Sequence, residues 1–129
     1  MLKYFAPKKI VGRDDEFEFD YAWKNHQWHC LQSTSFDLTS PDSIREKAHR
    51  LLGQFSSLRD SKENFKVYLL TGEPQHEKLT GAYERALSIL SKAPPELIEV
   101  VRENSVSVFS DSLAKKINEH ELANGTKTD

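Results

Sequence analysis

The chain has 129 residues, a formal net charge of −2, a charged fraction of 29% and a hydrophobic fraction of 37%. That length suits one domain with a real core under a well-solvated surface. The near-neutral charge argues against a generic basic nucleic-acid binder, because nonspecific affinity comes from neutralising phosphates. A single cysteine excludes an internal disulfide framework and fits a reducing compartment. No apolar run approaches the roughly 18 residues of a membrane span, and Met1 to Phe5 leads into no signal-peptide core. The expectation is a cytoplasmic chain with no membrane partner.

Residues 1–13 read as a basic arm or a short edge strand, with Lys3, Lys8, Lys9 and Arg13 set around Tyr4, Phe5, Ile10 and Val11. Pro7 opposes a helix there. From Glu16 the pattern changes: Phe17, Phe19, Tyr21 and Trp23 alternate with Glu16, Glu18, Asp20 and Ala22. A period of two predicts a strand with one buried face. Lys24 to Gln27 is a hairpin turn in which Asn25 tolerates a left-handed backbone. Trp28 to Phe36 is the returning strand.

Ser40-Pro41-Asp42 then starts a helix, Ser40 as N-cap, Pro41 in the first turn and Asp42 at the positive end of the dipole. Ile44, Ala48, Leu51, Leu52, Phe55 and Leu58 follow at helical spacing. Gly53 inside it weakens the helix, and close packing would account for it. Phe65 to Thr71 predicts an interior strand, Gln75 to Lys92 a second helix, and Pro94-Pro95 its end. Glu96 to Glu103 suits either a short helix or a strand. Ser105 to Phe109 reads as the last strand, Ser110 caps a final helix through Leu113, Ala114, Ile117 and Leu122, and 123–129 form a fraying polar tail. The chain is thus predicted to be a single α/β domain over 14–122. Its mixed sheet has an antiparallel N-terminal hairpin, then alternating helices and strands, with helices packed on the sheet.

Three sets of residues could carry chemistry or binding. Trp23 and Trp28 flank the hairpin turn and would anchor a protein partner if exposed, whether a separate protein or other domains of a longer parent chain. An edge strand would offer main-chain pairing to a second copy. Lys3, Lys8, Lys9 and Arg13 are the first residues to suspect in a nucleic-acid-binding alternative. His26, His29 and Cys30 are competent ligands for a transition metal, but their spacing on a strand turns His29 and Cys30 to opposite faces. The simpler reading makes them a turn histidine, an exposed strand histidine and a buried thiol.

The strand pair followed by helix, strand and helix, over residues 16 to 90, resembles the core of the PD-(D/E)XK nuclease superfamily. There an Asp on one strand and an acid-x-Lys on the next hold a divalent metal. The resemblance places Asp20 at the first acid and Gln32-Ser33-Thr34 at the second motif, which then has neither acid nor lysine. It implies a degraded nuclease scaffold kept for binding. The alternative is a nuclease working with Mg²⁺ or Mn²⁺ through Asp20, Gln32 and Thr34. In element order the chain is also similar to the ribonuclease-H-like fold, whose carboxylates would come from Asp20, Glu46, Glu73 or Asp111. The preferred reading from sequence is a non-catalytic interaction or accessory module without a cofactor.

Overall fold

The computed structural model describes residues 4–125. Five strands form one mixed sheet in the order β1-β2-β3-β4-β5, with β1 Ala6–Val11, β2 Glu16–Lys24, β3 Trp28–Ser35, β4 Phe65–Gly72 and β5 Ile98–Arg102. β1, β2 and β3 run antiparallel as a meander, and β3, β4 and β5 are parallel. The parallel pairs need crossovers, which α1 (Pro41–Ser56) and α2 (Thr80–Leu90) supply. α3 (Val106–Gly125) follows β5. The chain is a single-domain α/β fold of the predicted kind.

α1 and α2 pack side by side on one face of the sheet. Their core joins Ile44, Ala48, Leu51 and Phe55 of α1 and Ala82, Tyr83, Ala86 and Leu90 of α2 to Ile10, Phe19, Cys30, Val67, Leu69 and Ile98 of the strands. α3 covers the opposite face with a smaller cluster of Trp23, Leu113 and Ile117, flanked by Tyr4, Phe5, Leu31 and Phe109. No helix among the described residues is long and apolar enough to cross a membrane.

The start of α1 follows the local chemistry. Ser40 lies in extended backbone and its hydroxyl accepts from Ser43 N–H at 3.1 Å, with Pro41 in the first turn. Gly53 is different from expectation, since an added Cβ would meet nothing within 4 Å. Close packing does not account for it. Gly53→Ala is therefore expected to stabilise the chain by about 1 kcal/mol, the helix-propensity difference, as a higher urea midpoint. Gly12 is the position where space is short. A Cβ there would lie 2.7 Å from Asp60 Oδ1 and 2.8 Å from the Ser57 carbonyl, so the absent side chain lets the β1–β2 turn seat on the α1–β4 loop.

The C-terminal third corrects the sequence reading. Ile98–Arg102 is the last strand, and Ser105 to Phe109 passes from a short 3-10 turn into α3. Val108 is 73% exposed, which no core-forming strand position would be. α2 begins at Thr80 after a 3-10 turn at Glu77–Leu79, and α3 continues to Gly125 instead of fraying from 123. Leu122 is exposed on α3, not part of its buried side. Residues 1–13 include a complete six-residue edge strand.

Candidate functional site

The predicted hairpin forms, but its strict alternation does not persist. Lys8 pairs with Phe19 and Ala6 with Ala22, so two steps along β1 oppose three along β2. The extra residue is a β-bulge between Phe19 and Ala22. Phe17 and Phe19 pack against Phe55 on the α1 side at 5.3 and 5.7 Å between ring centroids. Past the bulge Ala22 takes over that side and Trp23 turns to α3. Tyr21, which alternation would bury with Phe19, is 51% exposed.

Trp23 is consequently not an exposed anchor. It is 3% exposed, its indole N–H donates to Glu121 Oε1 at 3.0 Å, and its ring lies 5.2 Å from His29 and 5.4 Å from His120. Trp28 is half-buried under the ammonium groups of Lys8 and Lys24, 4.9 and 5.7 Å from its ring centroid. Both tryptophans thus spend their faces within the chain.

The metal alternative also fails on geometry. His26 is exposed in the turn, while His29 is buried and Cys30 faces the α1–α2 core. His29, expected exposed, is held at both ring nitrogens. Asn25 Oδ1 can only accept, so Nε2 carries the proton and donates to it at 2.9 Å, which leaves Nδ1 to accept from the Tyr68 hydroxyl at 2.8 Å. Burial, reinforced by the Lys116 and Lys66 charges, lowers the His29 pKa to about 4. Burial pushes the Cys30 thiol up to about 12, the opposite of an activated thiolate. Asn25 acts through its side chain, which also accepts from Gln27 N–H at 3.2 Å; no described residue has a left-handed backbone.

Asp20 is exposed at the bulge, beyond the last β2–β3 pair at Tyr21 and Leu31. Gln32 and Thr34 are half-buried on β3, and the Gln32 amide donates to the Ser33 carbonyl at 3.2 Å. No group of three or more His, Cys, Asp or Glu among the described residues could hold a metal ion. Asp20, Glu46 on α1, Glu73 after β4 and Asp111 on α3 thus form no such group. A lysine does reach the end of β3, from α1 and not from the strand: Lys47 Nζ donates to the Ser35 carbonyl and lies 5.6 Å from the Phe36 ring centroid. Only the tertiary position of Lys47 reveals the contact.

Lys8, Lys9 and Arg13 do come together, along a groove completed by Lys62, Asp60 and Glu63; Lys3 lies outside the described residues. Acids already occupy them in part. Lys8 Nζ pairs with Glu63 at 3.0 Å, Lys9 with Glu16 at 3.7 Å, and Asp60 accepts the Arg13 backbone N–H at 2.9 Å. Family models, curated proteins and solved structures return no match to this chain.

The edge of the sheet opposite β1 is the outer side of β5. Val67 N–H donates to the Leu97 carbonyl at 2.8 Å, which turns the main chain of Leu97, Glu99 and Val101 toward β4. By alternation the N–H and C=O of Val100 and the N–H of Arg102 point away from the sheet, while the Arg102 carbonyl caps the 3-10 turn at Glu103–Ser105. Beside them runs a groove of about 510 Å³ between β5 and the start of α3, walled by Val100, Arg102, Val108 and Phe109. The Arg102 guanidinium is anchored by Glu84 and lies 5.6 Å from the Tyr83 ring, and Lys66 holds Glu99 at 2.8 Å. Charges flanking the edge are thereby tied back to the body of the domain.

Proposed function

We propose that this chain is a non-catalytic α/β interaction module that binds a protein partner as a strand added to β5. The observation that carries the reading is the outward main chain of Val100, with the Arg102 N–H, beside a groove of mixed lining in which Val108 is 73% exposed. Unpaired N–H and C=O groups on a sheet edge supply main-chain affinity, and pockets beside the edge select alternate side chains. The partner this fits is an extended segment with apolar residues at every second position. The strand pair followed by α1, β4 and α2 supports descent from a nuclease-like scaffold, and Gln32-Ser33-Thr34 at the second motif supports binding without cleavage.

Peptides selected from a random library on the folded chain provide the test. Val100→Pro removes an outward donor without breaking the ladder to β4, and Val108→Lys charges the groove wall. Both variants are expected to keep their thermal midpoints within a few degrees while losing about tenfold or more in peptide affinity. Unchanged affinity in both folded variants would rule out the β5 edge as the binding surface.

A further inference from the structure

A cleft of about 330 Å³ lies between α1 and α2, away from β5. Its walls carry Arg45 from α1, Arg85 and Ser88 from α2 and Lys92 from the turn that follows α2, above a floor that includes Ala82 and Ile89. Arg85 and Ser88, three residues apart, share one face of α2, and Lys92 follows just past its end. Three cations thus face a cleft with one lining carboxylate, Asp42, in a chain whose net charge is −2. Asp42 is already paired with Arg45 at 3.1 Å.

Lys47, which reaches the Phe36 ring, has no carboxylate partner, whereas Lys8 with Glu63, Lys66 with Glu99 and Arg102 with Glu84 are matched. Arg85 and Lys92 are not. Among the described residues neither side chain has an ion-pair or hydrogen-bond partner. Like charges gathered around one cleft repel, weakly where they are exposed. An anion placed between the helices would relieve that repulsion.

We propose that this cleft binds a small organic phosphate monoester. Arginine forks match phosphate oxygens in pairs, a lysine adds a point charge, and the Ser88 hydroxyl can donate to a further oxygen. The cation excess suits a dianion. The volume is at the small end of ligand sites, and Ala82 and Ile89 offer apolar surface to the carbon skeleton.

Thermal unfolding of the full chain at low salt tests this with inorganic phosphate, phenyl phosphate, adenosine 5′-monophosphate and a short single-stranded oligonucleotide as probes. Arg85→Gln/Lys92→Gln changes two exposed, unpaired side chains, so its midpoint without ligand should match the parent chain. The expected result is a saturable rise of a few degrees with a monoester, larger than with inorganic phosphate, and a tenfold or greater loss of affinity in the double variant. Equal shifts from inorganic phosphate and both monoesters would overturn the role given to Ala82 and Ile89. The absence of a saturable shift with either monoester, or one unchanged in the double variant, would overturn the site. A shift confined to the oligonucleotide would overturn it in favour of a polymeric backbone.

Discussion

Trp23→Ala is expected to lower the stability of the folded chain by about 3 to 5 kcal/mol, the range for deleting a large buried aromatic. The indole ties three elements together, since it sits on β2, stacks on His29 of β3 and donates to Glu121 of α3. α3 reaches the sheet through a small cluster in which Leu113 and Ile117 are its fully buried members. Removing the indole leaves a cavity under the helix and an unpartnered Glu121 carboxylate. Urea unfolding followed by far-UV circular dichroism measures the loss, and the helical signal should show α3 giving way first. A change below about 1 kcal/mol would mean that Trp23 is not a core residue and would restore it as a surface anchor.

Acidification from pH 6.5 to pH 4.5 is expected to cost about 2 to 3 kcal/mol through His29 alone. In the unfolded chain an ordinary histidine takes up its proton near pH 6.5, whereas the folded pKa is held at about 4. Between these values the unfolded state binds more protons, so stability falls as pH falls and the loss is complete below the folded pKa. The groups facing His29 reinforce the effect, because Lys116 and Lys66 oppose a new positive charge and Asn25 accepts the only ring proton. Glu63 and Glu84 have carboxyl pKa values lowered by hydrogen bonds from Lys8 and Arg102, so their contributions are lost below about pH 4.5. His29→Gln should flatten the stability curve between pH 6.5 and 4.5 and leave the fall below pH 4.5 in place. A variant curve parallel to the parent across that window would show that His29 does not titrate as its surroundings require.

Much of the architecture could be read from local chemistry. Ser40, Pro41 and Asp42 announced α1, and the apolar run Val67 to Leu70 announced an interior strand, which β4 is. The last strand was misplaced because Val106, Val108 and Phe109 have the composition of a strand, while Ile98 to Arg102 follows two prolines and carries two charges. Tertiary pairing decided it: Leu97 and the residues after it meet β4, and Val108 meets solvent. The candidate sites were less legible still. Nothing in the order of residues relates Arg45 to Arg85 or Val100 to Val108, since those proximities arise from helices and strands meeting across the fold. The surroundings of Trp23 were illegible for a similar reason, because His120 and Glu121, which meet its ring, are distant in the chain.

The bulge in β2 gives that strand two interiors. Up to Phe19 its aromatic side chains answer to the α1–α2 layer, and from Trp23 onward to the α3 layer. In plain alternation Phe19, Tyr21 and Trp23 would share one face; the surplus residue lets Phe19 and Ala22 share it instead and turns Trp23 to α3. Substitution at Asp20 leaves the bulge intact. Deleting one residue between Phe19 and Ala22 would leave two steps on each strand, so the bulge would vanish while Ala22 and Trp23 kept their layers. The segment should accept many side chains and also the loss of its surplus residue.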